Sequence, residues 1–181
     1  MSSGKYLYRI LRDDEESLTG LSARNPEMTN VTVSAHVNGL KKSPNISTSA
    51  SKKALRAYAN FRMAVQNSQR EQQNNGPAVK DEHFTAVEIN KDQLIMDKGK
   101  EIQIFDLSRD EERDKYLTDG QKQFAAKYEE VLIMGFVPAE YVKVIDVKVM
   151  SDDEFIQYSN KTDFETELIA GNACQLNVKN L

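Results

Sequence analysis

The run Glu130-Val131-Leu132-Ile133-Met134-Gly135-Phe136-Val137-Pro138 is the most hydrophobic segment of the chain and constrains its fold most. Aliphatic residues in succession, closed by Gly135 and Pro138, read as a strand. A helix over residues 51–67 is the second constraint. Ala54, Leu55, Tyr58, Phe61 and Val65 recur there at three- and four-residue spacing, while Lys52, Lys53, Arg56 and Arg62 fall mostly elsewhere. That stripe is core packing. At 181 residues the chain fits one domain, residues 1–181, and is long enough to bury a core.

The remaining elements are short. Strands are expected over 5–12, 84–89, 102–107 and 141–149 from their aliphatic and aromatic patterning. Residues 13–16 have the acidic character of a helix start, ending before Gly20, and 20–26 form a loop. Residues 30–37 read as helical or irregular, and Asn38-Gly39 as a turn. The stretch 66–82, rich in Gln and Asn and ending in Gly76-Pro77, reads as a polar loop. Residues 91–98 suit a short helix or a turn, 109–116 a solvated helix, and 118–121 a turn. A C-terminal extension over 150–181 carries two short helices, 152–158 and 163–169, capped by Ser151 and Thr162. The sum is an α+β domain.

Composition excludes several functions. A net charge of -4 supplies no concentrated basic face for nucleic acid. The Lys41-Lys42 and Lys52-Lys53 pairs read as solvated surface. A single cysteine, Cys174, excludes an intramolecular disulfide and a multi-cysteine metal site, and reads as an idle or buried thiol. No window reaches membrane-spanning length, so no membrane partner is expected. Met1-Ser2-Ser3-Gly4-Lys5 lacks the apolar core of a secretory signal. A cytoplasmic protein is expected, acting in its own cell or, after export, in a target cell.

Four features stand in order on or beside predicted strands. They are Arg9 in Tyr8-Arg9, His36, the run Ile46-Ser47-Thr48-Ser49, and Glu130. Each has a plain alternative. Arg9 could be a surface arginine at a strand end, His36 a histidine bonded to backbone, the hydroxyl run a turn or helix start, and Glu130 a solvated acid. Together they form a coherent set for holding a dinucleotide and breaking a glycosidic bond.

The ordered set resembles the mono-ADP-ribosyltransferase superfamily, and most of all its cholera- and pertussis-toxin-like branch. The resemblance runs over residues 6–145 and includes Gly20-Leu21-Ser22-Ala23-Arg24, similar to a Gly-Leu/Phe-x-x-Arg loop, and the spacing from Glu130 to Val137-Pro138. It implies a single domain of two packed, mostly antiparallel sheets with flanking helices. NAD is the implied substrate, with no metal. Arg9 would grip the pyrophosphate, since a guanidinium bonds phosphate in bidentate fashion. His36 would orient the nucleotide. Ser47, Thr48 and Ser49 would hold the nicotinamide pocket, with Arg24 as a further cofactor contact. Glu130 would bond the ribose 2′-hydroxyl and face the positive charge that builds as nicotinamide leaves.

Two departures bear on this. Arginine-modifying members carry a second glutamate where Tyr128 stands here; strand alternation would put Tyr128 on the face of Glu130, as an acceptor contact together with Phe124. The toxins also carry an aspartate where Leu11 stands, so Arg9 needs another support. The implied function is transfer of ADP-ribose to a protein acceptor by a toxin or effector, with an activating protein as a further candidate partner. NAD glycohydrolysis and a non-catalytic partner-binding domain are the alternatives.

Overall fold

The apolar run beginning at Glu130 forms β6 (Glu130–Met134), one place in from the edge of a six-stranded antiparallel sheet. The computed structural model describes residues 4–39, 42–73 and 83–161. In spatial order the sheet is β5 (Gln103–Phe105), β6, β3 (Asn45–Ser49), β1 (Tyr6–Ile10), β4 (His83–Asn90) and β8 (Val142–Lys148). A second, two-stranded antiparallel sheet pairs β2 (Leu21–Ser22) with β7 (Phe136–Val137). Helices pack on the larger sheet, so the α+β class and the antiparallel sheets are as the sequence leads one to expect.

Both faces of β6 are covered, which is why its sequence does not alternate. Val131 and Ile133 join Leu7, Ile46 and Val87, together with Leu21 and Val137 of the small sheet. Leu132 packs instead with Phe105, Leu117 and Ala125. Gly20 lets the small sheet close. Its φ is +88°, and a Cβ there would stand 2.5 Å from the Val137 carbonyl oxygen.

The long helix is α2 (Lys52–Gln72), and it runs further than expected. Residues 66–72, read from sequence as loop, are helical: Gln, Glu and Arg are good helix formers, and their polarity marks only a solvated turn. The rest of that expected loop, 74–82, lies outside the described residues. Leu55 and Ala59 pack on Ile10, Ala86 and Val147. Asn60, also buried, exchanges two 2.8 Å bonds with the backbone of Met150. The helix starts where Ser51 Oγ accepts from the Ala54 N–H at 3.1 Å. Ser51→Ala is expected to lose about 1 kcal/mol in urea denaturation, as N-cap truncations do.

The other helices are α1 (Val33–Val37), α3 (Lys91–Lys98), α4 (Asp110–Tyr116), α5 (Asp119–Lys127) and α6 (Asp152–Lys161). The turn expected at 118–121 is instead the start of α5. Thr118 and Gln121 form a capping box there, a signal that Gly120 obscures. The acidic run at 13–16 yields no α-helix, only a 3₁₀ turn after it at Ser17–Thr19. Cys174 and the expected helix over 163–169 lie outside the described residues.

Candidate functional site

The site is built around a short strand pairing. Strands β1 and β3 pair at Tyr8 and Ser49, and the Ser47 carbonyl is met by a side chain: Arg9 Nη1 donates to it at 2.7 Å. Arg9 is held from behind by Glu15, with Nη2 donating to both carboxylate oxygens at 3.0 and 3.2 Å and Nε reaching one of them at 3.3 Å. Glu15 also accepts from the Arg12 backbone N–H at 2.9 Å and pairs with the Arg12 guanidinium. This carboxylate supplies what Leu11 cannot. Its signal in the sequence was the unmet charge of Arg9; the acidic run 13–16 contained the answer but read as a helix start.

Ser47 is also the partner of His36. The imidazole Nε2 lies 2.8 Å from Ser47 Oγ, and Nδ1 lies 2.7 Å from the hydroxyl of buried Ser43. Helix α1 carries His36 there. It begins at Thr32, whose hydroxyl accepts from the Ala35 N–H, and is tied to α5 by Gln121, which accepts from Ser34 Oγ at 3.0 Å and donates to the Ser34 carbonyl at 3.1 Å. Burial, and then the Arg9 charge, push the His36 pKa down to about 4, so the ring is neutral at pH 7.

Glu130 completes the group. It opens β6 directly opposite Ser49, two positions along from the partner of Ser47. Side chains of opposed residues share a face of the sheet, so Ser47, Ser49 and Glu130 are on the same one. Burial raises the Glu130 pKa to about 7, against a lowering influence of the nearby Ser47 hydroxyl. No hydrogen bond reaches its Oε2, which is buried without a partner. The chain enters β6 through Glu129, at φ +46° the one non-glycine residue with positive φ among those described. Glu129 stands just past the C-cap of α5, a place that usually goes to glycine. Strain of this kind costs on the order of 1–3 kcal/mol and collects at functional positions.

The other expected site residues fall elsewhere. Thr48 points away from Ser47 and spends its hydroxyl on the Val131 carbonyl at 2.6 Å, locking β3 to β6. Arg24 is exposed, in the field of Asp14. Tyr128 corrects the alternation argument. It caps α5 rather than lying on β6, and it is buried in an aromatic cluster, its ring 5.5 Å from Tyr58 and 4.8 Å from Phe124. Its phenol is pushed upward in pKa by that burial. A buried ring cannot meet a protein acceptor. Phe124, half-buried, packs on Phe61 and Tyr128. A cavity of about 630 Å³ opens beside the Arg9–Glu15 pair, with Arg12, Arg62 and Arg70 in its walls but not His36, Ser47 or Glu130. Among the described residues no cluster of His, Cys, Asp and Glu could hold a metal ion.

No family model matches the chain, and no curated protein does. Among solved structures, a chain named EcPltA is similar at a TM-score of 0.47 and 10% identity, over 83% of this chain and 79% of that one. So distant a likeness carries no functional argument; the geometry around Ser47 does.

Proposed function

We propose that this chain cleaves the nicotinamide–ribose bond of NAD and transfers ADP-ribose to a protein acceptor, as a toxin or effector does. One observation carries the reading: Arg9, His36 and Glu130 meet at Ser47, and a buried oxygen of Glu130 has no hydrogen-bond partner. A buried polar atom left unpaired is costly, and a substrate hydroxyl is the natural donor to it.

Arg9 is oriented by Glu15 and the Ser47 carbonyl, and its Nη1 keeps a second proton for a pyrophosphate oxygen. His36, neutral, fixes Ser47. Glu130 accepts the 2′-hydroxyl of the nicotinamide ribose. As the glycosidic bond breaks, its electron pair leaves with nicotinamide and positive charge builds on the ribose. The carboxylate stabilises that charge from a dry position, where an ionic interaction is strongest. A nucleophile of the acceptor then bonds the ribose carbon and gives up its proton; water in that place yields free ADP-ribose.

Incubation with labelled NAD and a cell lysate tests this. The expected result is a labelled protein band that is lost with Glu130→Gln. Nicotinamide release without a band replaces transfer by hydrolysis. NAD at a hundred times its dissociation constant is expected to stabilise the fold by about 2.7 kcal/mol. No band, no release and no stabilisation together would overturn the reading.

A further inference from the structure

Ser43, which the sequence did not single out, lies at the ring nitrogen of His36 that faces away from Ser47. Ser43 is 2% exposed, so its hydroxyl is cut off from bulk water. Ser43 Oγ accepts from the Asn45 backbone N–H at 3.1 Å and lies 3.4 Å from Asn45 Nδ2, also a donor. Among the described residues, the acceptor placed best for the Ser43 proton is His36 Nδ1, 2.7 Å away. If Nδ1 carried a proton instead, Ser43 would accept from both the Asn45 N–H and His36, and its own proton would have nothing nearer among the described residues than the Asn45 side-chain amide, 3.4 Å away.

The consequence passes through the ring. With Nδ1 bare, the neutral imidazole carries its proton on Nε2, which donates to Ser47 Oγ across 2.8 Å. Ser47 then need not give its proton to the histidine, and the hydroxyl is free to turn it toward Glu130, on the same face of the sheet. In the other tautomer Ser47 would donate to Nε2 and present only lone pairs to the carboxylate, opposing its ionised form. Ser43 is itself fixed, since its carbonyl accepts from the Asn25 N–H at 3.2 Å and Pro44 after it is buried.

We propose that Ser43 is a positioning residue that holds His36 as the Nε2–H tautomer and so aims the Ser47 proton at Glu130. The proposal rests on the NAD-cleaving reading for its purpose, but the tautomer can be measured without turnover. The test is a long-range proton–nitrogen correlation spectrum of the full chain, labelled at histidine, near neutral pH. The chain has two histidines, and His83→Gln assigns the signals of His36.

The expected result is a single Nε2–H tautomer for His36 in the native chain. Ser43→Ala is expected to lose that preference and to lower kcat for NAD cleavage about tenfold to a hundredfold, with KM little changed. Ser43→Thr, which keeps the hydroxyl, is expected to restore both. An Nδ1–H ring for His36 in the native chain would overturn the proposal, whether or not the Ser43 variants fold. So would a Ser43→Ala protein that keeps the native tautomer. A native Nε2–H ring in a chain that never cleaves NAD would support the assignment while the functional reading falls.

Discussion

Glu130→Gln is expected to leave stability unchanged in mild acid and to raise it increasingly as pH climbs to neutrality. The folded chain holds the Glu130 carboxyl at a pKa of about 7, against an ordinary value of 4.5. Between those values the folded state binds more protons than the unfolded one, so stability falls as pH rises through the window. The stabilising share of this group is fully present below pH 4.5 and is gone above about 7. The shift corresponds to about 3 kcal/mol. Glutamine cannot ionise and escapes that loss. His36 acts in the opposite sense: its pKa falls from 6.5 to about 4, so its share is present above 6.5 and lost as pH drops through 4. The two nearly cancel in the native protein, and the difference between native and Glu130→Gln isolates the carboxyl. Urea midpoints across this range measure it. A gap of constant size at every pH would show that Glu130 is not ionised in a dry site.

Glu15→Ala is expected to cost about 3–5 kcal/mol, the range for removing one partner of a buried ion pair. The Arg9 and Glu15 side chains are 11% and 4% exposed, too little for water to replace the lost carboxylate. Arg9 would keep its bond to the Ser47 carbonyl but lose those made by Nε and Nη2. The guanidinium would then be free to swing, so NAD affinity should fall along with stability. Glu15→Gln, which keeps one acceptor, should fall between. Chemical denaturation gives the first effect and NAD titration the second. A loss below about 1 kcal/mol would place the pair with exposed salt bridges and remove Glu15 from the site.

The parts of this arrangement that were legible in the sequence are those with a local signature. The β6 run, the α2 stripe and the hydroxyl cluster of β3 could be read from spacing alone. Arg9, His36, Ser47 and Glu130 could be named, although only folding brings residues so far apart in sequence to one serine, at its carbonyl and its hydroxyl. What escaped was set by tertiary contact. Glu15 turns back to Arg9 through a tight turn, where its acidic neighbours suggested a helix. Tyr128 was placed by strand alternation, but the strand begins after it, beyond the left-handed turn at Glu129. Thr48 sat among the site hydroxyls by sequence, yet alternation sends it to the opposite face. Ser43 had no signal, because its role depends on a histidine that another element carries to it.

The most direct measurement is nicotinamide release from NAD by the purified chain, compared with Glu130→Gln. The expected result is steady release that falls by about 10²–10³ in the variant, the loss typical of removing one preorganised electrostatic group. Release at an unchanged rate in the variant would contradict the central role of Glu130. No release from the native chain, with no NAD-dependent thermal stabilisation, would contradict the NAD site itself.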